Sequence, residues 1–348
     1  MLLAGSHRRV VRRGLSVVAS SLALLLATAA SRLPALVSHP FNIDESYYSA
    51  GAVELLSGGV FFRDVVDHKP PGIYWLYALI YRLAGAFNIT AVHVALVVVV
   101  ALTAYFVGRA AQEFFGTRAA RWAAMLYVAS SVVGPPNDFQ AANSELFVNL
   151  PLVIAFWLAA RGWVRGRISP TSAFGMGLAL GLAVLIRPQA AWTALPVAVV
   201  FIRRGASLRA LACAALGGAL PTLSCLGWMW HSDVLLEAQG SLAYAAYYSN
   251  CLPLEVKLAN GVLKTLLFVA IDVGLLLPIA TLLVRWRQRD GVWKHGAGCL
   301  LAAWLLGNCL AVAMGGRFYP HYFIALLPPL AVMAAAQLAS SSWKVQTA

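Results

Sequence analysis

Apolar residues in this chain gather in long runs rather than in short alternations. After a first run at 15–37, further runs occupy 92–112, 119–134, 146–160, 171–186, 190–202, 208–230, 262–284, 296–314 and 322–339. About 20 apolar residues cross the roughly 30 Å hydrocarbon core of a bilayer as a helix. Helices and closed barrels are the only spanning forms, because lipid offers backbone groups no hydrogen-bond partners. The pattern predicts an all-α polytopic membrane protein with about ten transmembrane helices. The 190–202 run is short for a span, so its start is expected to be embedded or part of a re-entrant hairpin.

Composition agrees. Of 348 residues, 61% are apolar and 11% charged, against about a quarter charged in soluble domains. The first run resembles a signal peptide at its basic start. It is 23 residues long, however, longer than a usual signal core, so an uncleaved first span is expected. The net charge of +13 would suit a nucleic-acid partner. The basic residues fall instead in short clusters between apolar runs, the pattern of loops retained in the cytoplasm, so membrane lipids are the expected partner and nucleic acid is not. The five cysteines show no metal-ligand spacing, and no disulfide is expected.

One apolar segment, "KPPGIYWLYALIYRLAGAFN" at 69–88, carries Lys69, Arg82 and interfacial aromatics. If it does not span, 14 of the 18 Lys and Arg beyond residue 90 share a side with the basic N-terminus. It is therefore read as an amphipathic helix lying on the outer surface, started by Pro70 and Pro71. With that layout ten of the 13 acids come out external. The expected organisation is a single transmembrane domain over 1–340 with external loops at 38–91 and 231–261, followed by a short cytoplasmic tail at 341–348. The protein would sit in the cytoplasmic membrane with its chemistry on the outer face.

Five stretches on that face carry candidate chemistry. In "HPFNIDESYYSA" Asp44 and Glu45 follow the first span. They serve either as first-turn acids of a helix capped by Asn42 or Asp44 or as catalytic carboxylates, with Tyr47 and Tyr48 lining a sugar site or anchoring the loop. "DVVDHKPPG" gathers Asp67, His68 and Lys69 at headgroup level, where a lysine suits a phosphate or simply snorkels. "NDFQAANSELF" brings Asn143 and Glu145, the former or Ser144 being a possible cap. "LIRPQ" places Arg187 at the end of a span, where a charge is costly unless paired or bound to an anion. "GGRFYPHYF" adds Arg317 and His321. Acids and cations on one face suit an enzyme that binds a lipid-linked phosphate and activates a hydroxyl. A transporter more often places ionisable groups near the midplane. Asp272 is the residue that does so here, and a hydrogen bond to a neighbouring helix is expected to satisfy it.

"DESYY", "DHKPPGIYWLYA", "NSELF", "LIRPQ" and "GRFYPHYFIALLPPL", in this order, resemble the GT-C glycosyltransferases. More narrowly they resemble the branch of the bacterial aminoarabinose transferases and protein O-mannosyltransferases. The match runs through 38–190, thins, and resumes at 315–332. The resemblance implies a GT-C-like fold and inverting transfer of a sugar from a polyprenyl-phosphate-linked donor to a glycan, lipid or protein hydroxyl. It makes Asp44 the acid acting on the acceptor, with Glu45 beside it. Lys69 matches the lysine that contacts the donor phosphate, and Arg187 and Arg317 match further phosphate contacts. His68 stands where aminoarabinose transferases have glutamate, and Asp67 is one step back. Glu145 matches an acid that touches metal or acceptor. No cofactor is required by the motifs. A divalent cation, Mg²⁺ or Mn²⁺, held by Asp44 and Glu145 is the arrangement they leave open. The rival readings are a transporter or flippase moving lipid-linked sugars without chemistry, for which Asp272 would matter most, and an inactive scaffold.

Overall fold

The computed structural model describes residues 21–39, 42–286 and 296–340. The basic N-terminus, the acid and bases at 287–294 and the tail at 341–348 lie outside the described residues. The chain runs through α1 (Ser21–Ser31), then α2 (Leu33–Val37), α3 (Ile43–Leu56), α4 (Gly72–Ala84), α5 (Ile89–Ser130), α6 (Pro136–Phe139), α7 (Ser144–Arg165) and α8 (Pro170–Ile186). A 3₁₀ turn at Pro188–Ala194 leads to α9 (Leu195–Arg203), α10 (Leu208–His231), α11 (Leu235–Asn250), α12 (Leu254–Ile271), α13 (Val273–Trp286) and α14 (Ala297–Ala313). A second 3₁₀ turn, Pro320–Leu326, precedes α15 (Leu327–Ser340).

By length and composition, four helices among the described residues are apolar and long enough to cross a membrane: Ile89–Ser130, Ser144–Arg165, Leu208–His231 and Pro320–Ser340. A fifth is the bent pair Leu254–Ile271 and Val273–Thr281, while Ser21–Ser31, Pro170–Ile186 and Ala297–Ala313 are apolar but shorter. The ten expected spans are therefore not reproduced as ten long helices. α5 holds two of the expected runs. It breaks at Gly116, whose φ of 80° only glycine adopts readily. Its arms fold back on each other, so that a Cβ on Gly108 would sit 2.8 Å from the Ala120 carbonyl.

Three further expectations are corrected. The run at 262–284 is not straight: it bends by 87° between α12 and α13. Asp272 closes the first helix by donating its N–H to the Phe268 carbonyl at 2.9 Å, and opens the next by accepting from Leu275 and Leu276. Hydropathy cannot register such a break, because both halves are equally apolar. Nor is the Asp272 carboxylate satisfied as expected, since it is buried and its Oδ2 has no hydrogen-bond partner. The stretch at 231–261 is mostly helix rather than open loop, formed by α11 and the start of α12.

The packing follows membrane rules. α10 leaves Leu216, Leu220, Leu223 and Leu226 exposed, and α12 leaves Leu258, Val262, Leu263 and Leu266 exposed; such unbroken apolar rows would be untenable in water. α8 packs along α10, α5 along α7 and α15, and α7 along α8. Where α8 crosses α10 the backbones touch: a Cβ on Gly177 would strike the Ala214 carbonyl, and one on Gly217 the Phe174 carbonyl. Close approach through small residues is how helices associate where lipid removes the hydrophobic drive. α4 buries the stripe Ile73, Tyr74, Tyr77 and Tyr81 while Leu79 and Leu83 stay exposed, and it rests against α3, α5 and α8. The 3₁₀ turn at 188–194 packs against α14 and α8.

Because the α8–α10 crossing has no room for a side chain, Gly177→Val is expected to cost about 1–3 kcal/mol or more through overpacking. A lowered thermal midpoint and reduced monodisperse yield of detergent-purified protein would register it; an unchanged midpoint would contradict the crossing.

Candidate active site

At one end of the bundle the first turns of α3 and α7 meet the end of α8 and the turn at 320–326. Asn42 caps α3, its Oδ1 accepting the Glu45 N–H at 3.0 Å while its Nδ2 donates to the Asn137 carbonyl at 2.7 Å. The cap is thus Asn42, and Asp44 is left free for other work. Pro188 forces Arg187 into extended backbone, φ −147° and ψ 119°, as the residue before a proline requires, so α8 ends there. The Pro70–Pro71–Gly72 stretch lies directly on that end, for a Cβ on Gly72 would strike the Leu185 carbonyl. Asn149 of α7 donates to the Ile324 carbonyl at 3.1 Å, pinning the turn that carries His321.

These anchors assemble one charge network. Lys69 Nζ lies 2.9 Å from Asp44 Oδ1 and 4.9 Å above the Tyr48 ring. Arg187 pairs with Glu145 and stacks over the Tyr322 ring at 4.8 Å. His321 joins the two pairs: its Nε2 is 3.8 Å from Asp44 Oδ2 and 3.7 Å from Glu145 Oε1, while its Nδ1 is 2.5 Å from Asp138 Oδ1. Three carboxylates, Asp44, Glu145 and Asp138, thus face two fixed cations, with the His321 ring among them. Burial pushes the Asp44 carboxyl up, but Lys69, His321 and Arg187 outweigh it and hold Asp44 below the usual carboxylate range. Burial likewise works against the Lys69 ammonium, and its contacts with Tyr48, Asp44 and Asp67 outweigh that, keeping it charged. Below its usual range, Asp44 is ionised at neutral pH.

Of the residues singled out from the sequence, Asp44, Lys69, Glu145, Arg187 and His321 come together here. Asn143 lies beside them, donating to the Asp138 carbonyl at 2.7 Å. Glu45 does not face the cluster. It is buried, with Oε1 3.0 Å from His93 Nε2 and Oε2 accepting the Ala142 N–H at 2.6 Å, so it fastens α3 to α5 and to the segment before α7. Asp67, His68 and Tyr47 lie to the side. Asp67 accepts from Tyr74 at 2.7 Å and sits 2.8 Å from His68 Nδ1; Tyr47 donates to the Val66 carbonyl at 2.6 Å. Burial pushes the Asp67 carboxyl up, yet the hydrogen bond from His68 and the charge of Lys69 hold it down. Arg317 points away from Asp44, stacking on Tyr248 at 3.6 Å and donating to the Tyr248 carbonyl. His68 stacks on that same tyrosine at 4.8 Å. Tyr48, marked in the sequence as lining a sugar site or anchoring the loop, instead lies under Lys69; Asp138 belongs to the site and was not singled out, because it falls in a four-residue helix with no spacing to mark it.

The arrangement does not fit a divalent cation. Asp44 and Glu145 are each paired with a fixed cation, and among the described residues no three His, Cys, Asp or Glu gather as a metal site. A hard cation takes six or more oxygens, and the oxygens here are already matched by Lys69, Arg187 and His321.

Comparisons with known proteins agree on the fold. The family described as dolichyl-phosphate-mannose-protein mannosyltransferase matches residues 68–230. The crystal structure of ArnT from Cupriavidus metallidurans bound to undecaprenyl phosphate superposes with a TM-score of 0.61 at 16% identity, covering 94% of this chain and 61% of ArnT. The apo structure of the same ArnT gives the same values. The chain thus spans about 61% of the length of ArnT. No curated protein sequence matches it. This is a polytopic helical membrane protein with the GT-C fold. Within that class it is similar to the aminoarabinose transferases and protein mannosyltransferases.

Because Glu45 is a buried clamp, Glu45→Gln is expected to destabilise the protein by roughly 1–3 kcal/mol, as one side of a buried bonding group is lost. A thermal melt checks this. A collapse of turnover with an unchanged melt would assign Glu45 to the chemistry instead.

Proposed function

We propose that this chain is a membrane glycosyltransferase that moves a sugar from a polyprenyl-phosphate-linked donor to a hydroxyl acceptor on the outer face of the membrane. The observation that carries the reading is the Asp44–Lys69 pair at 2.9 Å, joined through His321 to Glu145 and Arg187. It sets a carboxylate beside two cations that a donor phosphate can claim. ArnT, whose fold the chain shares, was crystallised with undecaprenyl phosphate, which supports a polyprenyl carrier for the donor.

In this reading the donor phosphate competes with Asp44 for Lys69 and with Glu145 for Arg187. Loss of its cation lets the Asp44 pKa rise toward its ordinary value and makes it a better proton acceptor. The acceptor oxygen attacks C1 of the sugar, the C1–O bond to phosphate breaks, and the polyprenyl phosphate leaves with the electron pair. The hydroxyl proton passes to Asp44, and configuration at C1 inverts. Lys69 and Arg187 stabilise the charge that grows on the departing phosphate. His321, bonded to Asp138, keeps both carboxylates placed.

A lipid-linked-sugar flippase is the second reading, favoured by the buried, unpartnered Asp272 Oδ2 at the bend between α12 and α13. The two part on Asp44→Asn. The transferase reading expects release of polyprenyl phosphate from labelled polyprenyl-phospho-sugars to fall about 10²–10⁴-fold, the usual worth of a positioned acid or base, with the protein still folded. The flippase reading expects lipid transport to survive Asp44→Asn and fail in Asp272→Asn.

A further inference from the structure

Beside the charge network lies a cavity of about 630 Å³, lined by Tyr47, Phe62, Asp67, His68, Glu237 and Tyr244 together with Gly240 and Ser241. Its volume falls within the roughly 300–1,000 Å³ of small-molecule sites. It adjoins the catalytic centre on two sides. Tyr47 lies one turn after Asp44 on α3 and so shares its face, and Asp67 is two residues from Lys69. α11 closes the far wall, where Arg63 reaches Glu237 at 3.8 Å and the Ser241 hydroxyl donates to the Asp67 carbonyl.

The chemistry of the walls selects the occupant. Both acids are already matched, Asp67 by Tyr74 and His68 and Glu237 by Arg63, so no uncompensated charge calls for a cation. No Lys or Arg lines the cavity to hold a phosphate or other anion. A lipid tail would lie against the polar edges of Asp67, His68 and Glu237, groups to which it offers no hydrogen bond. What remains is a set of ring faces with polar edges. The Tyr47 ring is half exposed and fixed by its hydroxyl bond to the Val66 carbonyl. Tyr244 is half exposed on α11, its ring 6.2 Å from that of His68. Flat aromatic faces beside carboxylate and imidazole edges fit a neutral, hydroxyl-rich ring: the rings pack against C–H faces and the polar edges bond the hydroxyls.

We infer that this cavity is the acceptor subsite and that the acceptor is a carbohydrate, seated between Tyr47 and Tyr244 with a hydroxyl directed at Asp44. The inference rests on the transferase reading for the role of the cavity, but sugar binding there is measurable without turnover. Gly240 supplies a clean block, since it lines the cavity and a Cβ added there meets nothing within 4 Å.

The test is saturation-transfer NMR on the full-length protein in detergent, with methyl α-mannopyranoside, methyl α-glucopyranoside and methyl β-galactopyranoside as probes. A serine-containing peptide is run alongside. At least one glycoside is expected to give transfer signals with wild type and with Asp44→Asn. Those signals should fall at least about tenfold in Tyr244→Ala and in Gly240→Leu, a loss typical of a stacking contact. No glycoside signal with wild type, signals undiminished in both cavity variants, or peptide signals that the cavity variants abolish would each overturn the carbohydrate assignment. Failure of the transferase reading would show separately, as binding without any turnover.

Discussion

Everything at this site depends on how charge is held at the edge of an apolar bundle. An ammonium and a carboxylate near hydrocarbon each lose most of their hydration, and neither is tolerated alone. Lys69 and Asp44, 2.9 Å apart, are tolerated as a pair, and Arg187 with Glu145 forms a second pair. His321 lies within 4 Å of carboxylates in both and bonds a third, Asp138. The backbone around them is built to this end. Pro188 stops α8 at Arg187, the absence of a side chain at Gly72 lets the lysine-bearing turn rest on α8, and Asn42 caps α3 so that Asp44 need not.

A pair of this kind is both stable and poised. It satisfies the buried charges when no ligand is present, and the two pairs together present two cations that a phosphate can claim. A donor phosphate binding to Lys69 would remove the charge that holds Asp44 ionised and weakly basic, so binding and activation would be one event. Glu45, adjacent in sequence, does something different. Its bonds to His93 and the Ala142 N–H fix where α3 stands, and so where Asp44 points. Adjacent residues on a helix are about 100° apart, so one acid can face the site while the next faces the core.

The membrane class, the helical bundle and the residues at the centre of the network were legible because each has a local signature: long apolar runs, a proline pair behind a lysine, an arginine before proline at the end of a span. The sequence also marked Arg317, but its direction was not legible. It sits four residues from His321, yet the left-handed Phe318 (φ 50°) between them turns Arg317 toward Tyr248. Asp138 was invisible as a site residue because only tertiary folding brings its loop to His321. The 87° bend at Asp272 was hidden because apolar composition carries no information on direction. The break at Gly116 falls between two separate apolar runs, 92–112 and 119–134, which fold as the two arms of α5.

The central claim is that Asp44 and Lys69 act as one unit in turnover, and a double-mutant cycle measures it most directly. Polyprenyl-phosphate release would be compared for wild type, Asp44→Asn, Lys69→Met and the double variant. The account predicts strong non-additivity, with the double variant about as impaired as the worse single one, as for residues that work together. Losses that simply multiply would mean the two side chains act independently, and the shared-charge account would fail.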